Sequence, residues 1–298
     1  MTAKVILNPY SGRWSGAERQ HEIEQALKAA GLEYEIDLTT GPGHASELAK
    51  QAAEQGFSPI LGAGGDGTLS EVINGLLHAE METLPAFGML SLGTANDLRD
   101  NLGWPKDLSE AARLIKVGKT RALDVCAVNG RYFVNNAGLG LEPYVSTIQV
   151  RMTRLRGLVR YLVAALWGIM KNPQWNMELE WEGGAYQGPV TLISIGNGPR
   201  TGGIFFTVPH ADLFDGKLTF IYGHIRGRLG ILRAFPMIMK SGAGNVTEHK
   251  AVSEIHTTWL KVRSTPPTPA HADGEVITEG GTEFNFEIFP GKLPIIVA

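Results

Sequence analysis

The sequence has one cysteine, Cys126, in 298 residues. A lone cysteine excludes an internal disulfide, and the absence of disulfides is typical of reducing compartments. A long hydrophobic run is also absent: the longest, residues 158–170, contains Arg160 and is shorter than the roughly 20 apolar residues that span a bilayer. Residues 1–12 hold too short an apolar segment for a secretion signal. We therefore expect a soluble, cytoplasmic protein.

The sequence also has no excess of basic over acidic residues. The formal net charge is −3 and the sequence pI is about 6.3, whereas nucleic-acid-binding domains are commonly basic. Nucleic acid is therefore not an expected partner. Apolar residues make up 43% and charged residues 19% of the chain, which is the composition of a globular protein with a sizeable core. The length suggests about two domains.

Three common nucleotide-binding motifs are missing from the sequence. The chain has no G-x-x-x-x-G-K-[ST] segment, so it is not a P-loop enzyme. It lacks the H-R-D and D-F-G motifs of protein kinases. No G-x-G-x-x-G follows the first predicted strand, as it would in a Rossmann fold.

The first 120 residues alternate between predicted strands and helices. Short apolar segments predict strands at 4–7, 34–38, 59–62 and 86–90. Helix-forming segments lie at 17–30, at 45–55, after the third strand as far as 78, and near 107–117. This βα alternation predicts a doubly wound parallel sheet. We assign residues 1–120 to an α/β domain.

The pattern changes near residue 121, where short strands with turn residues begin. Asn129-Gly130 lies between two apolar segments and predicts a hairpin. Further strands are predicted near 175–182, 189–196, 217–222, 257–263, 283–289 and 293–297, with helices at 151–171 and 227–240. These strands predict an antiparallel β-sandwich over residues 121–283. Residues 284–298 are candidates for a return to the first domain, and residues 264–270 (STPPTPA) resemble a linker.

A glycine-rich segment, Gly64-Gly65-Asp66-Gly67-Thr68, follows the third predicted strand. Glycines there permit close approach of a ligand to the backbone, and the start of the next helix offers free N–H groups for an anion. Phosphate is the natural ligand, and Asp66 favours Mg²⁺ as a bridge to it. Alone, this segment could equally be a tight turn, because Thr68-Leu-Ser-Glu71 is also a capping-box pattern.

Two further polar loops favour the phosphate interpretation. Residues 91–97 (SLGTAND) follow the fourth predicted strand, and residues 8–12 (NPYSG) follow the first. Loops that follow parallel strands meet at one edge of the sheet, where ligands of open α/β sheets bind.

These segments resemble the catalytic domain of the diacylglycerol kinases, a family that includes bacterial soluble lipid kinases and sphingosine and ceramide kinases. The similarity extends over nearly the whole chain. The segments that carry it follow one another in the order 8–12, 64–76, 93–97, 123–135 and 209–218. The last is Asp273-Gly274-Glu275. The family differs at His44-Ala45, where it usually has aspartate before alanine, and at Ser70, where asparagine is common.

The resemblance implies a phosphotransferase that moves the γ-phosphoryl group of ATP to a lipid hydroxyl, with Mg²⁺ as cofactor. The nucleotide-binding residues that it implies are Asn8, Ser11, Gly12, Thr39, Gly64, Gly65, Asp66, Gly67, Thr68, Glu71, Gly93, Thr94 and Asn96. The implied ligands of the catalytic Mg²⁺ are Asp66, Asp97 and Asp124. A structural metal would bind the side chain of Asp215 and the carbonyls of Asp212 and Lys217.

Each of these acidic residues has a plainer interpretation as well. In the C-terminal motif we favour Glu275 as the proton acceptor, with Asp273 helping to hold the motif, but Asp-Gly is also a common turn. Asp124 could simply pair with Arg121 at the edge of a strand. Asp215-Gly216 could be a turn without a metal.

The two helical segments of the second domain are basic and apolar. Residues 151–171 carry Arg151, Arg154, Arg156, Arg160 and Lys171, and residues 226–240 are similar; neither contains an acid. Such helices can lie on an anionic membrane, so we expect transient membrane association. They could instead pack on the β domain or form a homodimer.

Three functions are consistent with the sequence. The first is a diacylglycerol kinase-type lipid kinase, whose acceptor is not specified by the sequence. The second is a kinase of a soluble acceptor, because NAD kinases share a G-G-D-G-T loop. The third is a non-catalytic lipid-binding protein with a relic nucleotide site, which the complete acidic set (Asp66, Asp97, Asp124 and Glu275) disfavours.

Overall fold

The computed structural model of the chain describes residues 2–14, 18–152 and 157–298. It divides into two compact units: Met1–Val125 with Phe289–Ala298, and Cys126–Ile288. No helix among the described residues is long and apolar enough to cross a membrane.

The first unit contains a parallel sheet in the order β4-β3-β1-β2. Its elements are β1 (Ala3–Leu7), α1 (Ser11–Trp14), α2 (Gln20–Ala29), β2 (Tyr34–Leu38), α3 (His44–Glu54), β3 (Ile60–Gly64), α4 (Asp66–Leu77), β4 (Phe87–Ser91), α5 (Asp97–Asn101), α6 (Leu108–Val117) and the first part of β5 (Thr120–Val128). Strands β1, β3 and β4 are buried throughout, as expected for a sheet with helices on both faces.

The second unit is a β-sandwich-like domain of antiparallel strands, and its described residues include α-helices as well. Its elements continue with β6 (Arg131–Phe133), β7 (Asn136–Gly140), α7 (Leu141–Arg151), α8 (Gly157–Lys171), β8 (Trp175–Trp181), β9 (Gly184–Val190), β10 (Leu192–Gly196), β11 (Leu218–Gly223), α9 (Gly227–Ala234), β12 (Val252–Thr257), β13 (Trp259–Ala272) and β14 (Glu275–Ile296). The last part of β14, from Phe289, belongs to the first unit. Short 3-10 helices occupy Phe235–Met239 and Val246–Glu248. The predicted order, an α/β domain and then an antiparallel β domain, is confirmed.

The predicted hairpin at Asn129-Gly130 is present. Val128 pairs with Arg131, and the two residues between them have φ of 48° and 84°. Both values are positive, as a two-residue type I′ turn requires.

The segment 264–270, predicted to be linker-like, is part of strand β13. The first half of β13 pairs with β8, as far as Thr265, and its last residues, from Ala270, pair with β7. Its ladder to β14 is irregular between Arg263 and His271, where three prolines lack the N–H that a regular ladder needs. The prolines therefore mark the place where the strand changes partner, and not a domain linker.

The sequence predicted one helix over 151–171, but helical structure already begins at Leu141 and is divided between two helices. A separate helix, α7, covers Leu141–Arg151, and α8 then covers Gly157–Lys171. Arg154 and Arg156, which were predicted to contribute to the basic surface, lie outside the described residues. Helix α7 was missed because its weakly amphipathic sequence, with a proline at its third position, follows a strand directly.

Candidate functional site

Asp66 joins two loops of the first unit. It is the first residue of α4, and its carboxylate oxygens accept the backbone N–H groups of Asn96, at 2.7 Å, and Asp97, at 2.6 Å. Burial raises the pKa of Asp66 above its ordinary value of 3.8, although these N–H groups and Arg99 act in the opposite direction. Asp66 therefore ties the loop after β4 to the loop after β3.

The glycines of these loops are needed by the packing of the loops themselves. A Cβ on Gly93 would lie 2.6 Å from the Cα of Gly65, and a Cβ on Gly64 would lie 2.5 Å from the side chain of Thr68. Both distances are too short for non-bonded carbon atoms. Gly67 follows as the second residue of α4. The sequence suggested ligand approach as the reason for these glycines; the structure adds a steric reason that is independent of any ligand.

The other predicted nucleotide-binding loops lie at the same edge of the sheet. Asn8 follows β1, and its side-chain amide donates a hydrogen bond to the hydroxyl of Thr68 at 2.9 Å. Ser11 and Gly12 begin α1 just beyond it. Thr39 follows β2 and is buried, and its backbone N–H bonds to the last residue of β1. The parallel strands thus bring all of these residues to their carboxyl ends.

Glu71 is engaged at the start of another helix. Its carboxylate accepts the backbone N–H of Ala45 in the first turn of α3 at 3.2 Å. Close packing of α3 on α4 makes this possible, since a Cβ on Gly75 would lie 2.1 Å from the carbonyl oxygen of Ser46. Glu71 therefore caps α3, and its predicted contact with the nucleotide stays a prediction.

Unsatisfied polar groups also occur at this edge. Ser91 Oγ and Asn96 Oδ1 are buried and have no hydrogen-bond partner among the described residues, and Thr94 between them is exposed. The first hydrogen bond inside α4 joins Leu69 to Gly65, so the N–H groups before Leu69 have no intrahelical acceptor. A helix N-terminus beside the Ser91 hydroxyl, which can donate, is suited to phosphate, whereas Asn96 Oδ1 can only accept a hydrogen bond.

The three carboxylates predicted to surround Mg²⁺ are not assembled into one cluster. Among the described residues, no group of three or more His, Cys, Asp or Glu side chains could hold a metal ion. Asp97 is buried at the start of α5, and the buried Asp124 in β5 accepts the N–H of Gly291 at 2.7 Å. Asp66 and Asp124 each accept backbone N–H groups of their own surroundings, and metal binding by Asp66, Asp97 and Asp124 stays a prediction.

Asp273 is fixed by the backbone of the second unit. Its carboxylate accepts the N–H groups of Val134 at 3.1 Å, Asn135 at 2.9 Å and Asn136 at 3.2 Å. The residue is buried and has a φ of 47°, in the turn between β13 and β14. The oxygens of Asp273 thus hold the residues before β7 against the turn, and its part in catalysis stays a prediction.

Glu275 forms an ion pair with Arg131. Their side chains are 41% and 40% exposed, respectively, so both ends of the pair are within reach of solvent. The pair joins the start of β14 to the start of β6. The expected proton acceptor is therefore accessible, but it already has a cationic partner.

The predicted structural metal loop consists of two exposed turns. Asp212 accepts the N–H of Phe214 at 3.0 Å, and Asp215 accepts the N–H of Lys217 at 2.9 Å. Each aspartate thus stabilises its own turn, which is the plainer interpretation given above. Metal binding by Asp212, Asp215 and Lys217 stays a prediction.

An apolar pocket in the second unit was not predicted. It encloses about 710 Å³ of space outside protein atoms, solvent at its opening included. It lies among α7, α8, β10, β11, α9 and the 3-10 helix Phe235–Met239, and nearly all of its lining residues are apolar. Sequence reasoning missed it because it is formed by elements that lie up to about a hundred residues apart.

One carboxylate, that of Glu142, lines this pocket. Its Oε1 atom lies 3.2 Å from Nε2 of the buried His271, without the alignment of a hydrogen bond. Among the described residues, neither nitrogen of His271 nor Oε2 of Glu142 has a hydrogen-bond partner. Burial, and secondarily the charge of Glu142, raise the pKa of the Tyr161 hydroxyl. The only sign of this pocket carboxylate in the sequence was the position of Glu142, an acidic residue directly after the apolar segment 137–141.

Comparison with known proteins finds a matching family for each of the two units. Residues 2–128 match the diacylglycerol kinase catalytic domain, and residues 135–297 match the YegS C-terminal NAD kinase beta sandwich-like domain. The chain belongs to the diacylglycerol kinase family. A diacylglycerol kinase of Bacillus subtilis (strain 168) is 33% identical over 216 residues, which are 72% of this chain and 71% of that protein. "Probable lipid kinase YegS" of Shigella flexneri is 30% identical over 276 residues, 91% of this chain and 89% of that protein.

Solved structures share the fold. A diacylglycerol kinase from Bacillus anthracis str. Sterne has a TM-score of 0.77 at 22% identity and covers 100% of this chain and 97% of its own. Yeast NADH kinase complexed with NADH is more distant, with a TM-score of 0.50 at 11% identity over 99% of this chain and 82% of its own. The family resemblance is confirmed by the matching catalytic-domain model and the relatives similar in sequence: the chain is a member of a kinase family, and kinases of this kind use ATP.

Proposed function

We propose that this kinase transfers the γ-phosphoryl group of ATP to the hydroxyl of a lipid of the diacylglycerol type, in a Mg²⁺-dependent reaction. The observation that carries the lipid assignment is the apolar lining of the pocket in the second unit. Its lining is apolar apart from Glu142, the Tyr161 hydroxyl and Thr207. Such a lining suits acyl chains, because burial of each CH₂ group in an apolar pocket is worth about 0.8 kcal/mol.

The ATP phosphates would be bound by the first unit. The N-terminus of α4 supplies N–H groups and Ser91 supplies an unsatisfied hydroxyl group at the carboxyl edge of the sheet. Asp66 keeps the two loops in register through its bonds to Asn96 and Asp97. Positioning by such pre-formed groups is the main protein contribution to phosphoryl transfer.

Mg²⁺ would neutralise charge on the phosphates, and Asp66 is its first candidate ligand. Magnesium at nucleotide sites is commonly held by one or two carboxylates together with phosphate oxygens and water. Asp66 is only half-buried, and a carboxylate has about four lone-pair positions, of which two accept N–H groups here. The residues therefore fit an ion that is shared with ATP better than a site made of protein carboxylates alone.

The acceptor hydroxyl must lose a proton, and Glu275 is the proposed proton acceptor. Asp273 holds the turn that carries Glu275, since it binds three backbone N–H groups. Arg131 holds the Glu275 carboxylate in place through their ion pair. Glu142 is the proposed acceptor of a hydrogen bond from the polar head of the lipid, because its Oε2 atom is buried beside the apolar pocket without a partner among the described residues.

A transfer assay tests the proposal. The protein is incubated with γ-labelled ATP, Mg²⁺ and diacylglycerol in detergent micelles, and the label is counted in the organic phase. Ala165→Phe would fill the pocket from α8, since Ala165 is buried in its lining; Val117→Phe, at an exposed position of α6, is the matched control. We expect Ala165→Phe to lower kcat/KM for the lipid at least about tenfold with ATP affinity unchanged. Equal rates for the two variants would refute the lipid assignment.

A soluble acceptor is the alternative. The same assay with NAD in place of lipid gives a water-soluble labelled product if the alternative holds. The apolar lining argues against it, because a dinucleotide would leave its charges and polar groups unpaired there. Label transfer to NAD that is insensitive to Ala165→Phe would favour the soluble acceptor.

A further inference from the structure

Two neighbouring side chains of the second unit have buried polar atoms without hydrogen-bond partners. His271, on β13, is 4% exposed, and neither of its ring nitrogens has a partner in the part of the chain that the structure describes. The Oε2 atom of Glu142, on α7, also lacks a partner there, and the Oε1 atom lies 3.2 Å from His271 Nε2. Buried polar groups are nearly always hydrogen-bonded. A group that the described protein does not supply is therefore expected at this place.

Gly138 of β7 leaves room for such a group. β13 pairs with β7, and His271 stands opposite Gly138. A Cβ atom on Gly138 would lie 2.7 Å from His271 Nε2 and 3.0 Å from Glu142 Oε2. The two unsatisfied atoms thus converge where residue 138 has no side chain, and they are close enough for one oxygen atom to bond to both. We call Gly138, Glu142 and His271 the polar subsite.

The polar subsite is connected to the turn that carries the proposed proton acceptor. Asn136 donates a hydrogen bond from its side-chain amide to Glu142 Oε1 at 3.4 Å and one from its backbone N–H to Asp273 at 3.2 Å. Its carbonyl oxygen accepts the N–H of Asp273 at 2.7 Å. Asp273 lies two residues before Glu275, and Glu142 also lines the apolar pocket. The polar subsite is therefore adjacent both to the pocket and to this turn.

The chemistry of the unsatisfied atoms specifies the group that completes them. A carboxylate oxygen only accepts hydrogen bonds, whereas a neutral imidazole has one donor and one acceptor nitrogen. A hydroxyl group can donate to Glu142 and accept from His271 at the same time. An ammonium group only donates, and an ester carbonyl only accepts. A hydroxyl group is therefore the one that satisfies both side chains.

We propose that the polar subsite binds a second hydroxyl group of the acceptor lipid, on the carbon next to the one whose hydroxyl is phosphorylated. The two hydroxyl groups have to be close together, because Asn136 bonds to both Glu142 and Asp273. The proposal rests on the proposed function and names its substrate class: a lipid with two neighbouring hydroxyl groups, such as a monoacylglycerol. Diacylglycerol has a single hydroxyl, so it would leave the polar subsite unsatisfied and react less efficiently.

Lipids that differ in one group test the proposal with the unmodified protein. The probes are the monooleyl ether of glycerol at an end carbon, its analogue without the middle hydroxyl group, and its analogue with an amino group in place of that hydroxyl. Each is supplied in detergent micelles with γ-labelled ATP and Mg²⁺. We expect kcat/KM for the glycerol ether to be at least about tenfold higher than for either analogue, the value of one hydrogen bond to a charged group. KM for ATP should be the same in all three reactions.

Two outcomes of this comparison would overturn the proposal. Equal kcat/KM for the glycerol ether and the analogue without the middle hydroxyl would indicate that the polar subsite holds only water. A preference for the amino analogue would show that the subsite selects a cation and not a hydroxyl group.

Two variants show whether the preference arises in the polar subsite. Glu142→Gln and His271→Leu each remove one partner of the second hydroxyl, and Glu178→Gln, at an exposed position of β8, is the control. We expect the ratio of kcat/KM for the glycerol ether to that for the analogue without the middle hydroxyl to fall at least about fivefold in both variants and to stay unchanged in the control. A merely structural role would lower both rates alike and keep their ratio. An unchanged ratio in variants that unfold like the wild type would refute the proposal.

The proposal and the proposed function fail separately. Transfer of label to diacylglycerol, together with equal kcat/KM for the glycerol ether and the analogue without the middle hydroxyl, would refute the polar subsite and leave the proposed function standing. Absence of transfer to every lipid, diacylglycerol included, would refute the proposed function and the polar subsite with it.

Discussion

Asp66 and Asn96 are joined by a 2.7 Å hydrogen bond from the backbone N–H of Asn96 to the Asp66 carboxylate, across 30 positions of the chain. Together with the bond from Asp97, it makes one aspartate responsible for the mutual position of two glycine loops. A residue that the sequence marks as a candidate metal ligand is thus also a structural element of the site.

Asp66→Ala should destabilise the fold as well as lower activity. The substitution leaves two backbone N–H groups without their carboxylate partner, which should cost about 2 kcal/mol in the free energy of unfolding. Asp66→Asn keeps one acceptor oxygen and should cost less. Urea unfolding of the three proteins measures this order. An Asp66→Ala variant as stable as the wild type would show that the loops are held by other contacts.

The stability contribution of Asp66 should depend on pH in a defined direction. Because burial raises its pKa in the folded state above 3.8, the folded protein binds this proton more tightly than the unfolded chain. The contribution is present below the unfolded value and is lost as pH rises through the raised folded value. Asp66→Asn should therefore gain stability relative to the wild type between pH 3.8 and neutral pH. Parallel stability curves for the two proteins would contradict the raised pKa.

Glu275→Gln should lower kcat strongly while ATP affinity and stability change little. The ion pair with Arg131 is about 40% exposed at both ends, and exposed pairs contribute about 0–1 kcal/mol. A loss of rate in a variant that unfolds like the wild type therefore reports chemistry. Arg131→Gln is the control for the pair itself. If Glu275→Gln instead weakens ATP binding at constant kcat, Glu275 is not the proton acceptor.

Glu142→Gln should raise KM for the lipid and leave KM for ATP unchanged. Glu142 lines the lipid pocket of the second unit, and the glycine loops belong to the first. The loss of one hydrogen bond to a charged acceptor predicts roughly a tenfold change. Glu178→Gln, at an exposed position of β8, is a matched control. Equal effects on both substrates would indicate a general loss of structure, which thermal unfolding would detect.

Local patterns in the sequence were sufficient to predict most helices and strands of the first unit and one hairpin of the second. The βα alternation of the first unit and the Asn129-Gly130 hairpin depend on neighbouring residues, so they are visible in sequence. The order of strands and the carboxyl edge follow from the rules for parallel sheets. The three glycine loops were expected at one edge, and the hydrogen bond from Asn8 to Thr68 shows them in contact.

Contacts between distant residues were not predictable. The close approach of Glu142 to His271 and the ion pair of Arg131 with Glu275 join positions more than a hundred residues apart. No spacing rule links His271 to Glu142, so their contact has no local signal in the sequence. The strand through residues 264–270 was missed for another reason: its prolines contradict strand propensity, and only the change of partner within β13 makes them acceptable.

The most direct test of the central claim is the transfer of label from γ-labelled ATP to diacylglycerol in micelles, measured for the wild type, Ala165→Phe and Val117→Phe. The account predicts an organic-soluble labelled product for the wild type and the Val117 variant and at least about a tenfold lower kcat/KM for the Ala165 variant, with equal ATP affinity in all three. A product that forms at the same rate in all three proteins, or forms only with a water-soluble acceptor, would contradict it.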